Sequence, residues 1–149
     1  MTVLRQELLR GRAVAVAGGV PRVVIDGLVG LGARLEQLDV GLDEDRTREW
    51  AIAASPLHAL VFDARPAFGE GGEAELGKAL ERAWVATRGV ATGALIPGGA
   101  GKVLLIAPRS RAGSFAAAAR AALENLARTL SVEWARYGVT AVAVAPGVR

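Results

Sequence analysis

Two turns in the sequence carry residue types that could bind a nucleotide. Gly18 and Gly19 stand together at the end of the apolar segment 13–18, and Asp39 ends the segment 33–39. A glycine-rich turn before a helix lets the backbone approach a phosphate, and an acidic residue after the next strand accepts ribose hydroxyls. Glycine and aspartate are also common formers of ordinary turns. Two interpretations are therefore open: a nucleotide site, or a tight turn without a ligand.

The composition excludes several other chemistries. The 149 residues include no cysteine and one histidine, His58, which rules out disulfides, thiolate metal sites and histidine clusters. The formal net charge is +3, and the 18 basic residues are scattered among acidic ones, unlike the clusters of a nucleic-acid binder. The N-terminus lacks an apolar signal core, and no apolar run reaches the roughly 18 residues of a membrane span. We expect one cytoplasmic domain over residues 1–149, with neither a nucleic-acid nor a membrane partner.

Short β-branched segments alternate with longer segments rich in alanine and leucine. The predicted strands are 13–18, 33–39, 58–64, 102–108 and 139–146. The predicted helices are 21–32, 43–54, 74–95 and about 114–137, and 68–73 is predicted to be a flexible, acidic, glycine-rich loop. Such alternation is typical of βαβ units and a parallel sheet. The sequence predicts a three-layer α/β/α sandwich with a mostly parallel sheet of about five strands.

Four segments resemble the short-chain dehydrogenase/reductase family, whose members are NAD(P)-dependent oxidoreductases with a Rossmann fold. The longest is "ARAALENLARTLSVEWARYGVTAVAVAPG" over 119–147; the others are "LGARLEQLD" (31–39), "ALVFDA" (59–64) and "GKVLLIAP" (101–108). These segments are spread between residues 31 and 147, and the resemblance as a whole covers nearly the whole chain, so it implies a Rossmann-like fold. The family's third strand has no counterpart here, because a single predicted helix links 33–39 to 58–64. No segment matches the family's substrate-binding helices and last strand, which we expect to be absent.

The resemblance also implies where catalytic residues would stand. The family uses a tyrosine, a lysine four residues later, a serine after the preceding strand and an asparagine on the helix before that strand. Here Ala116 occupies the tyrosine position and Arg120 the lysine position, while the serine position falls on Pro108 or Ala107 and the asparagine position near 79–80. General acid catalysis needs a titratable group, and alanine has none. Arginine differs from lysine in geometry and in its permanent charge. We expect no catalytic residues of the family type.

The cofactor positions implied by the resemblance are only partly kept. The turn at Gly18 and Gly19 is shorter than the family's three-glycine turn, which weakens the phosphate-binding interpretation. Asp39 stands where relatives bind the adenine ribose, and Pro146 and Gly147 stand where relatives line the nicotinamide site. We expect no bound cofactor or, if there is one, NAD(P).

The two longest predicted helices match the pair through which members of this family form oligomers. The helix 114–137 is apolar over more than half its circumference, whereas packing on its own sheet requires one apolar stripe. The predicted interface residues are Trp84, Arg88, Leu123, Leu126, Leu130 and Trp134. An alternative is that these leucines and tryptophans all belong to the core.

These observations lead to three hypotheses. The first is a catalytically inactive subunit related to the short-chain dehydrogenases, which assembles with itself or with an active dehydrogenase of that family. The second is an NAD(P)-dependent oxidoreductase that works through Ser110, Ser114 and Arg120. The third is a module that binds a nucleotide or another small molecule at the carboxyl ends of the strands, the usual ligand position in such sheets.

Overall fold

A five-stranded parallel sheet forms the centre of the computed structural model, which describes residues 4–147. The strands are β1 (Ala13–Ala17), β2 (Arg34–Gln37), β3 (Ala59–Asp63), β4 (Gly101–Ile106) and β5 (Val139–Val144). The helices are α1 (Arg22–Gly30), α2 (Glu44–Ala54), α3 (Arg65–Phe68), α4 (Glu73–Val90) and α5 (Ala116–Glu133). The strand order is β2-β1-β3-β4-β5, and all four pairings are parallel. The predicted sandwich is confirmed, and α2 alone links β2 to β3, as expected from the missing strand.

The two faces of the sheet are covered to different extents. Helices α2, α4 and α5 pack on one face around fully buried side chains such as Phe62 and Leu105. On the other face, α1 packs over Val14, Val16 and Val61. Burial of these apolar side chains provides most of the driving force for folding. The core therefore consists of two layers separated by the sheet.

Strand β5 lies at the edge of the sheet, and its side chains on the α1 side are not covered by a helix. Val142 and Val144 point to the α1 side and are 61% and 45% exposed. The backbone edge of β5 is partly capped, because the Ser131 hydroxyl of α5 donates to the Ala141 carbonyl at 2.7 Å and accepts from the Ala141 N–H at 2.8 Å. Such capping limits pairing with a foreign strand. It leaves the apolar face of Val142 and Val144 uncovered.

Helices α2 and α4 approach each other closely at two glycines. A Cβ added to Gly89 would lie 2.5 Å from the Thr47 side chain, and one added to Gly93 would lie 2.6 Å from the Arg48 carbonyl oxygen. Only a residue without a side chain fits there. Beyond Val90 the helix continues as a π-helical turn, Ala91–Leu95, so the predicted end at residue 95 is confirmed.

The end of α5 also matches the sequence pattern. The helix is followed by a 3₁₀ turn, Ala135–Tyr137, and by Gly138, which has a φ of +72°. That left-handed conformation is typical of a glycine that ends a helix. The α-helix itself ends at Glu133, four residues before the predicted end, and the 3₁₀ turn extends the helical backbone to Tyr137, where Gly138 is the cap as predicted.

The segment between β3 and α4 differs from its prediction. The sequence predicted a flexible loop over 68–73, but Phe68 ends α3 and Glu73 begins α4. Gly71 is buried, and a Cβ there would lie 2.8 Å from both the Ala112 carbonyl oxygen and the Gly113 Cα atom. A loop is therefore present over 69–72, shorter than predicted, and glycine at position 71 permits the close packing of two backbones.

Candidate functional site

The carboxyl ends of β3, β4 and β5 lie at one edge of the sheet, and the loops that follow them form the candidate site. In parallel sheets ligands bind at this edge, where the strand order reverses. Here the reversal lies between β1 and β3, which are neighbours in the order β2-β1-β3-β4-β5. Two cavities open at this edge, one on each side of the short helix α3.

The positions equivalent to the family's serine and lysine meet in the structure. Arg120, on the second turn of α5, donates from Nη1 to the Pro108 carbonyl oxygen at 2.9 Å and to the Pro146 carbonyl oxygen at 2.8 Å. Pro108 follows β4, and Pro146 follows β5. The guanidinium thus links the loops at the ends of two neighbouring strands. These two hydrogen bonds hold the loops against the first turns of α5.

The position that the resemblance assigns to the catalytic tyrosine has no titratable side chain. Ala116 is the first residue of α5 and is almost completely buried. Pro108 and Ala107 are buried as well and have no hydroxyl group. General acid catalysis needs a titratable group within hydrogen-bond reach of the substrate, and none of these side chains has one. Of the alternative residues, Ser110 lines a cavity, whereas Ser114 is exposed and does not line it.

The glycine turn after β1 packs against the turn after β3. Gly18 and Gly19 have φ values of +83° and +84°, which only glycine adopts readily. A Cβ on Gly18 would collide with the Asp63 carbonyl oxygen, and one on Gly19 would lie 3.1 Å from Pro66 Cγ. These contacts within the chain account for both glycines. Neither glycine is therefore a sign of a phosphate by itself.

Asp39 nevertheless lies in a cavity with the two glycines. This cavity has a volume of about 450 Å³ and is lined by Gly18, Gly19 and Asp39, together with Gln37 and Arg82, which the sequence analysis missed. The Asp39 Oδ1 atom accepts a hydrogen bond from the Gly41 N–H at 2.8 Å, so the carboxylate also holds its own turn. The hydrogen bond confirms the interpretation of Asp39 as a turn former, and ribose binding at this cavity stays a prediction.

A second cavity of about 360 Å³ lies on the other side of α3. Arg65 and Phe68 of α3 line this cavity, whereas Pro66 and Ala67 line the cavity at Asp39. Helix α3 therefore separates the two. A dinucleotide that extended from Asp39 to the end of β4 would have to pass it. Among the described residues, none lines both cavities, so the two do not form one continuous site for a whole dinucleotide.

Arg65 is held rigidly by a buried carboxylate. Asp63 is 1% exposed and accepts from Arg65 Nε at 2.9 Å and from Arg65 Nη2 at 2.8 Å. The hydrogen bond to Asp63 raises the pKa of Arg65 above its ordinary value, although partial burial opposes this. Arg65 was not among the predicted site residues. It directly follows "ALVFDA" (59–64), which resembles the family strand that usually ends in an Asn-Asn-Ala-Gly turn, and that resemblance indicates a turn but not the ion pair.

The predicted interface residues fall into two groups. Leu123 and Leu130 are fully buried in the core of their own chain, so their assignment to an interface was wrong. Their spacing reflects packing on the sheet. Leu126 and Trp134 are half-buried against the same core. A partner could therefore reach little of this set on α5.

Trp84 and Arg88 lie on the outer side of α4. Trp84 is 39% exposed, and the Arg88 guanidinium carbon lies 5.7 Å from the centre of its ring. Arg88 also forms an ion pair with Glu44 of α2 at 3.3 Å. This cation–π stack holds the tryptophan ring at the surface.

Solved structures of short-chain dehydrogenases resemble this chain. Over 97% of this chain and 80% of the other, it superposes on a short-chain dehydrogenase from Mycobacterium smegmatis with a TM-score of 0.74 and 20% sequence identity. The hydroxysteroid dehydrogenase from Escherichia coli gives a TM-score of 0.66 at 19% identity, over 93% of this chain and 73% of that one. A gluconate 5-dehydrogenase from Burkholderia cenocepacia, solved with NADP and tartrate, gives 0.64 at 17% identity, over 95% and 73%. No family model and no curated protein sequence matches the chain.

The chain therefore has the fold of the short-chain dehydrogenases, as the resemblance in its sequence implied. Among residues 4–147, no helix is long and apolar enough to cross a bilayer.

Proposed function

We propose that this chain is a non-catalytic subunit with the short-chain dehydrogenase fold, which assembles with a second copy of itself or with an active dehydrogenase of that fold. The observation that carries the proposal is the position of Arg120. Its guanidinium binds the carbonyls of Pro108 and Pro146, in the place where the family has a lysine that activates a tyrosine.

The missing proton donor argues against hydride transfer. Reduction of a carbonyl group needs an acid beside the substrate oxygen, and Ala116 stands at that position. Arginine cannot lower the pKa of a tyrosine that is not there. Arg120 still connects the two loops through its hydrogen bonds to the Pro108 and Pro146 carbonyls. The substitution thus keeps the fold of the site and removes its chemistry.

Three exposed surfaces support the proposed assembly with another chain. On α4, Trp84 presents part of its ring, and tryptophan is enriched at the centres of interfaces. On the first two turns of α5, Ala117, Ala118 and Ala121 are exposed, so a helix of another chain could approach closely. The open face of β5 at Val142 and Val144 is a further apolar region that association would remove from water.

A nucleotide-binding module is the second candidate, and the cavity at Asp39 favours it. Asp39, Gly18 and Gly19 line one cavity, as an adenosine group requires. The structurally similar gluconate 5-dehydrogenase was solved with NADP, so NADP is the first dinucleotide to test here. Binding at Asp39 would not by itself restore hydride transfer.

Measuring nucleotide binding and ketone reduction on the same protein distinguishes the two candidate functions. We expect purified protein to leave NADH and NADPH unoxidised in the presence of a panel of ketones. Titration with ADP-ribose by calorimetry then tests the cavity, with Asp39→Asn as the variant and Asp26→Asn on α1 as the matched surface control. Saturable binding that is lost only in Asp39→Asn would favour the nucleotide-binding module.

Turnover of a ketone would contradict the proposal. If that turnover were lost in Arg120→Met, the oxidoreductase hypothesis with Arg120 as a catalytic residue would replace it.

A further inference from the structure

The cavity on the far side of α3 has a lining unlike that of the Asp39 cavity. It holds three arginines, one hydroxyl and an apolar floor, with a volume of about 360 Å³. The residues that define it are Arg65, Arg109, Arg111, Ser110, Phe68 and Pro108. Within the part of the chain that the structure describes, no aspartate or glutamate lines it.

The charge balance of this cavity is positive. The two hydrogen bonds from Arg65 to Asp63 neutralise one of the three guanidinium groups. Arg109 and Arg111 are exposed on the loop after β4 and add two further positive charges at the mouth of the cavity. Arg120 lies behind Pro108 and contributes a fourth cation nearby. Guanidinium groups pair well with carboxylates and phosphates because their planar forks match the two oxygens.

The walls of the cavity are held in place by backbone contacts. A Cβ on Gly113 would lie 2.5 Å from the Glu70 carbonyl oxygen, so the loops before α4 and before α5 touch directly. The Phe115 N–H donates to the Gly71 carbonyl at 3.3 Å, and the Ala112 N–H donates to the Arg109 carbonyl at 3.0 Å. The turn that carries Arg109 and Arg111 is thus fixed to its neighbour. A preformed site loses less conformational entropy when a ligand binds.

The floor of the cavity is apolar. Phe68 is fully buried at the end of α3, and Pro108 is buried at the end of β4. Apolar lining with a few convergent polar groups is typical of sites for small molecules. A bare inorganic anion would leave this floor without a partner. A ligand with both a charged group and a small apolar body would use the whole cavity.

We infer that this cavity binds a small organic carboxylate, with Arg109 and Arg111 pairing with the carboxylate and its apolar body resting on the floor at Pro108 and Ala112, beneath which Phe68 is buried. The inference goes beyond the proposed function and is independent of it. None of these residues lies on the surface of α4 and α5 that is proposed for assembly. Loss of assembly would therefore leave the cavity intact.

The test compares a charged probe with an uncharged one of the same shape. We expect benzoate to bind saturably at millimolar concentration, as measured by calorimetry and by NMR line broadening of the ligand. Benzamide should bind at least about ten-fold more weakly, because it lacks the charge that pairs with the guanidinium groups. Binding of benzoate should also weaken as sodium chloride is added, because salt screens exposed charges.

Variants locate the site. The double change Arg109→Gln and Arg111→Gln should weaken benzoate binding at least about ten-fold, since both charge-assisted hydrogen bonds are lost. The control is Arg22→Gln with Arg128→Gln, two exposed arginines on α1 and α5, and it should bind benzoate like the wild type. Each double variant removes two surface charges, so an effect of net charge alone would weaken benzoate binding equally in both.

Three results would overturn the inference. They are an absence of saturable benzoate binding, equal affinity for benzoate and benzamide, and equal weakening in the two double variants. Circular dichroism verifies that each variant is folded. Native mass spectrometry of the Arg109→Gln and Arg111→Gln variant should show unchanged assembly, which separates failure of this inference from failure of the proposed function.

Discussion

At the scale of single residues, Arg120 stands where the resemblance places the family's catalytic lysine, and it connects two loops at one edge of the sheet. The side chain contacts the carbonyls of Pro108 and Pro146, which stand at the ends of β4 and β5. A charged donor to a backbone carbonyl contributes about 1.5–3 kcal/mol to stability. The residue thus serves the fold of this edge of the sheet.

We predict that Arg120→Met lowers the free energy of unfolding by about 1–3 kcal/mol, because two partly buried carbonyls lose their donor. Urea denaturation followed by circular dichroism measures the change. The matched control is Arg128→Met on the same helix, where Arg128 pairs with Glu124 at the surface. An exposed pair at this spacing contributes roughly 0.5 kcal/mol or less.

Equal stability of Arg120→Met and Arg128→Met would show that the two hydrogen bonds of Arg120 contribute nothing. It would remove the structural explanation for arginine at this position.

The residue scale also shows what sequence reasoning can and cannot predict. The resemblance assigns positions 108, 116 and 120 to the family's serine, tyrosine and lysine, and the structure brings Arg120 into contact with the Pro108 carbonyl. The Asp63–Arg65 pair was missed, since it depends on a turn after β3 that no periodicity describes. Leu123 and Leu130 were assigned to an interface, because helical spacing alone cannot tell a core face from a second packing surface.

At the scale of elements, the contact between α2 and α4 depends on Gly89 and Gly93. The spacing of the two glycines places both on one side of the helix, where α2 crosses. The spacing of Gly89 and Gly93 is visible in the sequence, but no close contact between helices was predicted from it. The helices and strands themselves were predictable from their apolar periodicity, whereas their closest contacts were not.

We predict that Gly93→Ala destabilises the protein by about 1–3 kcal/mol, because the added methyl group overpacks the contact with α2. The Cβ atom would lie 2.6 Å from the Arg48 carbonyl oxygen and 2.9 Å from the Ala51 Cβ atom, so the helices would have to move apart. Thermal and urea denaturation both report the change.

Gly77→Ala is the matched control on the exposed side of α4. Nothing lies within 4 Å of a Cβ placed there. Alanine is the better helix former, so this variant should gain about 0.5–1 kcal/mol. If both variants shifted stability in the same direction, close packing at Gly93 would not be the reason for its glycine.

At the scale of the whole molecule, the sheet is covered unevenly. Three helices pack on one face, and α1 alone packs on the other, which leaves Val142 and Val144 of β5 in contact with water. Ser131 caps part of the backbone edge of the same strand. The free backbone edge of β5 is thus partly occupied by Ser131, which limits pairing with a foreign strand, whereas the apolar side chains of Val142 and Val144 remain exposed.

The absence of a strand between β2 and β3 was predicted from the sequence, because a single helix takes up that segment. Assembly does not follow in the same way. It depends on a partner surface that the sequence of one chain does not contain. Trp84 is the residue on which the proposal is best tested, since its ring is held at the surface by Arg88.

The central claim is assembly through the outer side of α4 and α5. The most direct measurement is native mass spectrometry of the tagged chain isolated from its own cells without a dissociating step. We expect the wild-type chain in a stable complex with a second copy or with a dehydrogenase of the same fold. Trp84→Ala should appear as a monomer, whereas Val23→Ala, on α1 and 77% exposed, should retain the complex. A monomeric wild-type chain, or a complex that survives Trp84→Ala unchanged, would contradict this account.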